Sequence, residues 1–330
     1  MRAPEFWAED GLLSRLLSPL AFLYALGGAL RNRFTTPQKS SIPVICIGNL
    51  VAGGAGKTPV ALDVISRLRS RGLCVHALTR GYGGTEKGPT KVALGRHSAA
   101  DVGDEALLLA EKATTWVSAD RPSGAKAAAA DGADIIVMDD GFQNPSLEKD
   151  LSLVVIDSGF GLGNGRVMPA GPLREPAKRG LARADAVILL GNENAALQQK
   201  LTEEFDRPLL QAGLAPKASA ENRAKQAVFA FAGIGRPEKF YATLRDLSLE
   251  VLETRDFPDH HPYTDSEIDE LLERAAALNA IAITTEKDTV RLSPQYRSRI
   301  ATLPIEISWQ NSSDVDVLIG PFVKGSSVSG

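Results

Sequence analysis

The stretch that most limits what this chain can fold into is "IPVICIGNLVAGGAGKTPVALDVI", Ile42 to Ile65. Val44, Ile45, Cys46 and Ile47 form a short β-branched run, suited to a central parallel strand covered on both faces. Gly48 ends it. Gly53, Gly54, Ala55 and Gly56 then allow a tight turn whose N–H groups face inward, and Pro59 fits the first turn of a helix opening at Lys57 and Thr58. Val60, Ala61, Val64, Ile65 and Leu68 recur at helical spacing, which gives that helix one apolar face. A strand, a glycine turn and a helix N-terminus together make a phosphate cradle. Lys57 would reach the β and γ phosphates, and Thr58 would offer its hydroxyl to Mg²⁺. Val51 departs from the strict pattern GxxxxGK[ST], which has glycine there.

From Ile42 onward the chain alternates strand and helix, the pattern of a mostly parallel α/β sheet. "LCVHALT" runs into "RGYGG", where Arg80 stands at the carboxyl end of a strand, the ligand edge of open α/β sheets. "DVGDEALLLAEKA", Asp101 to Ala113, reads as one helix with an acidic start, where Asp101, Asp104 and Glu105 suit N-capping. "DIIVMDDGFQN" is a buried strand ending in Asp139 and Asp140, the pattern by which P-loop proteins hold Mg²⁺ opposite the loop hydroxyl. Adjacent residues of a strand face opposite ways, so one aspartate is expected at the metal and the other in support. Between the strands "LSLVVIDS" and "ADAVILLG" lies a Gly- and Pro-rich loop, 159 to 176, with Arg166, Arg174 and Glu175 as its charged members; a long ordered loop of this kind is usually functional.

"APKASAENRAK", Ala215 to Lys225, reads as a linker. A second α/β unit follows, starting with "QAVFAFAGIGRPEKF". In it, Asp259, His260 and His261 precede a helix capped by Thr264 with Glu267 three residues on. Glu286, Lys287 and Asp288 then sit where the strand "AIAITT" meets a helix.

With 330 residues and a net charge of −3, the chain can build two lobes and lacks the basic excess of a nucleic-acid protein. No protein partner is implied. Cys46 and Cys74 are expected to be reduced packing residues in core strands, since two such cysteines make neither a disulfide framework nor a metal cluster. Residues 1 to 40 differ from the rest. "LLSPLAFLYALGGAL", Leu16 to Leu30, is uncharged and is followed by Arg31 and Arg33. As a helix it would span about 22 Å, short of the roughly 30 Å hydrocarbon core. It therefore suits lying in one leaflet, with Phe6, Trp7 and Tyr24 at the interface and the arginines on anionic lipid. A signal peptide is disfavoured by Glu5, Glu9 and Asp10; a helix buried in the protein is the competing reading.

Several stretches, in this order, resemble the tetraacyldisaccharide 4′-kinases of lipid A biosynthesis: "GNLVAGGAGKTP", "RGYGG", "GDE", "DDGFQ", "GNGRVMPAGPLRE", "GIGRPEKF", "DHHPY" and "TEKD". The resemblance implies a kinase that moves the γ-phosphoryl of ATP, with Mg²⁺, onto the 4′-hydroxyl of a lipid disaccharide 1-phosphate, giving lipid IVA. It also implies work at the cytoplasmic face of the bacterial inner membrane, as a peripheral or monotopic protein. Asp104 is implied as a base acting with His260 or His261. Thr58, Asp139, Asp140 and Glu105 form the expected metal set, and Arg80, Gln143, Arg174 and Glu175 are candidates for substrate contacts. A membrane-associated P-loop switch ATPase is the alternative. The expected organisation is a membrane-associated helix and lead-in at 1–40, a P-loop core at 41–215, a smaller α/β lobe at 216–310, and a closing segment at 311–330 that can return to the core before a frayed tail.

Overall fold

A computed structural model describes residues 4–217 and 225–323. Most of the linker and the Gly/Ser tail read from the sequence lie outside those residues. Among the described residues the strands form two sheets. The larger contains β1 (Val44–Gly48), β2 (Val75–Thr79), β3 (Thr90–Lys91), β4 (Thr114–Val117), β5 (Ile135–Asp139), β6 (Leu151–Asp157), β7 (Ala186–Leu190), β8 (Leu209–Pro216) and β13 (Ile305–Trp309). Its order is β13-β8-β7-β6-β1-β5-β2-β4-β3, which puts the P-loop strand β1 at the centre. The smaller sheet is parallel, in the order β10 (Glu250–Asp256), β9 (Ala227–Ala232), β11 (Ile281–Thr285), β12 (Ala301–Leu303).

The parallel register of the large sheet is pinned by a repeated device. An aspartate just ahead of one strand accepts an N–H at the start of its neighbour: Asp150 from Val44 at 2.8 Å, Asp134 from Cys74 at 2.9 Å and Asp185 from Ser152 at 2.8 Å. Every residue of β1, β5, β6 and β7 is buried, because helices cover both faces. The helix α3 (Lys57–Ser70) lays Val60, Ala61, Val64, Ile65 and Leu68 on one face.

Two elements depart from the expectations. The acidic segment is two helices, Ala99–Val102 and Asp104–Ala110, broken at Gly103 with φ 84°. Asp101 closes a capping box with Ser98 on the first, whereas Asp104 opens the second. Cys74 lies ahead of β2 and is exposed, so only Cys46 packs in the core.

The strand β13, which the sequence groups with the smaller lobe, crosses back and pairs antiparallel with β8, Ile305 opposite Pro216 and Trp309 opposite Ala212. Trp309 Nε1 then donates to Asp63 on α3 at 2.9 Å, and Arg67 of α3 donates to Asp316 at 2.9 Å. The chain end thus closes over the P-loop helix. In the smaller sheet β9 alternates its faces. Ala230 and Ala232 meet Phe240, Tyr241 and Leu244 of one helix, while Phe229 and Phe231 meet Ile268, Leu271 and Ala275 of another.

At the N-terminus, Leu12–Leu16 and Ser18–Phe34 are helical. Their large apolar side chains face outward: Leu12, Phe22 and Phe34 are 76, 67 and 80% exposed. This is not a helix buried in the protein. No helix among the described residues is long and apolar enough to cross a membrane. The helices are tied to the Gly/Pro loop instead, with Arg166 on Asp10 at 2.8 Å and on Ser18 at 2.7 Å. Trp7 takes part in that tie, its indole N–H donating to the carbonyl of Pro169 at 3.1 Å.

Candidate active site

The carboxyl ends of β1, β2 and β5 form one edge, and the glycine turn rises from it. Gly56 has φ 79° and precedes Lys57, the first residue of α3. That left-handed backbone strains any residue with a Cβ. The mismatch residue Val51 is buried and bridges Leu173 in an antiparallel pair, so its side chain and backbone dock the turn on the Gly/Pro loop.

Thr58 Oγ1 donates to Asp139 Oδ2 at 2.9 Å. The other oxygen, Asp139 Oδ1, is buried and receives no hydrogen bond. Burial, and then the charge of Glu105, push the Asp139 carboxyl up to about 7. The charge of Lys57 pulls the other way but does not outweigh them. Asp140 has φ 54° and turns the other way, to Arg174 at 2.8 Å and Lys57 at 3.6 Å. Burial raises its carboxyl, but those two cations prevail and hold it below its usual range. The adjacent aspartates divide, one toward the loop hydroxyl and one toward the loop lysine, but the strand ends at Asp139 and it is the left-handed turn at Asp140, not strand alternation, that parts them.

Gln143 and Glu175 serve the same floor. The Gln143 amide donates to the Asn49 carbonyl at 2.8 Å and to Glu175 at 3.2 Å, and Glu175 also pairs with Arg183. Arg80 is exposed at the end of β2. Near it is a residue that sequence reasoning passed over, Arg121, which is 3% exposed with an unpartnered Nε. Burial, then the charge of Arg80, lower its guanidinium to about 10. A lone arginine in an Ala-rich helix gives no sign of this in the sequence.

The second cluster joins the two sheets. Gly103 is locked under the "RGYGG" loop, since a Cβ there would come 2.4 Å from the carbonyl oxygen of Tyr82. This fixes Asp104 at the start of its helix, 3% exposed. His260 Nδ1 lies 3.0 Å from Asp104 Oδ2, and Arg291 Nε donates to the same oxygen at 3.0 Å. Burial raises the Asp104 carboxyl, yet the His260 hydrogen bond and the charges of Lys287 and Arg291 outweigh it and hold it far below the usual range. Asp288 anchors the far side, accepting from Arg291, Tyr263 and the Gly233 N–H, each at 2.9 Å.

The adjacent histidines part company. His261 lies 3.0 Å from Glu267, the helix-capping residue, and its ring stacks on Phe257. Arg291 was also missed, and Lys287 was placed only at a strand–helix junction with no role, because the carboxylate that explains both is far away in sequence. A further link between the sheets runs from Asp157, at the end of β6, to Arg236 at 3.0 Å and Lys239 at 2.9 Å.

A family model described as tetraacyldisaccharide-1-P 4′-kinase matches residues 13–320. The chain belongs to that family. Among its relatives, the tetraacyldisaccharide 4′-kinase of Rhodospirillum centenum is 50% identical over 337 residues, covering 100% of this chain and 99% of the relative. That of Paramagnetospirillum magneticum is 51% identical over 315 residues, covering 95 and 96%. Among solved structures, LpxK from Aquifex aeolicus in complex with ATP has a TM-score of 0.75 and 27% identity, covering 94% of this chain and 100% of that one. Membership in this kinase family removes the switch-ATPase alternative.

Proposed function

We propose that the protein transfers the γ-phosphoryl group of ATP to the 4′-hydroxyl of a tetraacyldisaccharide 1-phosphate, giving lipid IVA, at the cytoplasmic face of the inner membrane. The observation that carries this reading is the pair of unlike carboxylate clusters, Asp139 on the loop hydroxyl with one oxygen unpartnered and Asp104 paired with a histidine.

Lys57 and the backbone N–H groups from Gly53 to Thr58 hold the phosphates. Thr58 and Asp139 would hold Mg²⁺, with Glu105 nearby and Asp140 keeping Lys57 and Arg174 in place. The orphaned Asp139 oxygen fits such an ion. Among the described residues no group of three or more His, Cys, Asp or Glu could hold a metal. Asp139, Asp140 and Glu105 therefore do not form the joint three-carboxylate set expected from the sequence; Mg²⁺ usually takes one or two carboxylates and completes its shell with phosphate and water. When bound, the ion neutralises charge on the phosphate oxygens.

In the transfer, a lone pair of the 4′-oxygen forms the new bond to the γ-phosphorus. The bond from that phosphorus to the bridging oxygen breaks and ADP leaves, while the hydroxyl proton passes to the Asp104–His260 pair. Positioning and one proton acceptor are most of what phosphoryl transfer asks of a protein. Arg80 and Arg174 remain to contact the anionic substrate, whereas Gln143 and Glu175 shape the floor beneath it. The smaller lobe, carrying His260, excludes water from the edge.

The exposed apolar face of Ser18–Phe34, with Arg31 and Arg33 in its last turn, supports seating in one leaflet beside the lipid substrate. The test is transfer of labelled γ-phosphate from ATP to the purified disaccharide 1-phosphate in mixed micelles with Mg²⁺. Labelled lipid supports the reading. ATP lost to water with no labelled lipid overturns it.

A further inference from the structure

The Asp104–His260 pair is not free to act as it stands. Asp104 Oδ1 accepts the N–H of Glu105 at 3.0 Å, and its Oδ2 is shared by His260 and Arg291, with Lys287 Nζ at 3.8 Å. A carboxylate so fully engaged orients an imidazole better than it takes a proton itself. With Nδ1–H given to Asp104, the basic nitrogen of His260 is Nε2. Lys287 Nζ lies 3.2 Å from that nitrogen, and an ammonium can only donate there.

A second place for the ammonium is already built. Asp259 Oδ1 is buried, receives no hydrogen bond, and lies 3.7 Å from Lys287 Nζ. Its partner oxygen, Oδ2, is 3.7 Å from His260 Nε2. The backbone holds this arrangement, for His260 has φ 62° and its N–H donates to the Gly233 carbonyl at 3.1 Å.

We propose that Lys287 is a positioning residue that caps His260 Nε2 at rest and passes to Asp259 when the pair takes the substrate proton. This rests on the reading of Asp104 and His260 as the proton acceptor. Before transfer, Nε2 is occupied and no proton is drawn from water. As the ammonium shifts to the Asp259 oxygen, the Nε2 lone pair faces the incoming hydroxyl. A proton arriving on Nε2 then meets a neutralised Lys287–Asp259 pair in place of a bare cation. The charged and titratable groups around His260 are Asp104 from the helix Asp104–Ala110, Lys287 from the short helix Glu286–Thr289, Asp259 from its own loop, and Arg291 behind Asp104. Tyr82 lays its ring edge-on at 5.7 Å from the loop after β2.

The experiment uses the full-length protein in detergent micelles, with ¹⁵N-labelled histidine and steady-state transfer measured across pH. The chain has four histidines, so the imidazole signals can be assigned by substitution. Wild type should show neutral His260 protonated on Nδ1. Lys287→Met should raise the His260 titration by about one pH unit and carry the acid limb of kcat/KM upward with it, because a like charge beside the imidazole is gone. Lys287→Arg should restore both. Asp259→Asn should move the titration the opposite way and lower kcat about tenfold with KM held, since the ammonium has lost its second acceptor. Should Lys287→Met fail to fold, the Asp259→Asn result decides.

An unmoved His260 titration and an unmoved limb in these variants, or a change confined to KM, would overturn the role of Lys287. His260→Ala separates the two levels of the argument. Full transfer in His260→Ala would remove the proton-acceptor reading itself, whereas loss there with unmoved limbs in the other variants would remove only the cap.

Discussion

Asp139 and Asp104 are both almost fully buried, at 1 and 3% exposure, and beside the same sheet edge, yet their surroundings are opposite. Asp139 has one hydroxyl on one oxygen and nothing on the other. Asp104 has a histidine and an arginine on one oxygen and a backbone N–H on the other. Under the proposed function the first carboxylate would take an ion on its unpartnered oxygen. The second already has its cations, so its part is to hold other groups still. One residue type thus has two opposite environments, set by the partners supplied by two different lobes.

The contrast breaks most visibly if each aspartate is neutralised. Asp104→Asn leaves the buried Arg291 guanidinium and the half-buried Lys287 without their shared partner. It should cost about 3 to 5 kcal/mol in denaturant unfolding, besides the loss of transfer. Asp139→Asn should leave the metal-free protein no less stable, while lowering kcat roughly 10²–10³-fold at saturating Mg²⁺. Equal destabilisation by the two substitutions would erase the distinction.

Acidity sharpens it. Burial pushes the Asp139 carboxyl up to about 7 in the fold from an ordinary value near 3.8, so the folded protein holds that proton more tightly. Its contribution to stability is full below the unfolded value and is lost as pH rises through about 7. Asp104 behaves in reverse, since its folded value is depressed; its contribution is present above 3.8 and is lost as pH falls. In metal-free protein, Asp139→Asn should flatten the decline in stability between about pH 4 and about pH 7. A profile identical to wild type would place the raised carboxyl elsewhere.

Smaller effects test the edges of the account. Replacing exposed Phe22 and Leu23 together by Ser should weaken sedimentation with anionic vesicles roughly tenfold without lowering stability. His261→Gln, at a ring that meets the Glu267 cap, the Phe257 ring and the edge of Tyr263, should cost under about 1 kcal/mol and change transfer by no more than about twofold.

Much of this was legible from local pattern. The apolar runs from Val44, Ile135 and Ala186 predict the central strands, and the glycine turn predicts the cradle because its backbone needs are local. Gly103 reads as a helix residue, since only the distant Tyr82 carbonyl shows why the helix must break there. The pairing of β13 with β8 was hidden for the same reason, as nothing in "PIEISW" names its partner across the linker. Lys287 and Arg291 look like surface residues until Asp104 is brought to them. Of two neighbouring histidines, the local pattern does not show which meets Asp104; the Gly233 carbonyl and the Glu267 cap decide that in three dimensions.

The most direct measurement is labelled-phosphate transfer from ATP to the disaccharide 1-phosphate in mixed micelles, run side by side for wild type, His260→Ala and His261→Ala. Labelled lipid from wild type, a loss on the order of 10²-fold or more in His260→Ala, and near-wild-type transfer in His261→Ala is the predicted result. Equal loss in both variants, or full transfer in His260→Ala, would contradict the assignment of Asp104 and His260 as the acceptor of the substrate proton.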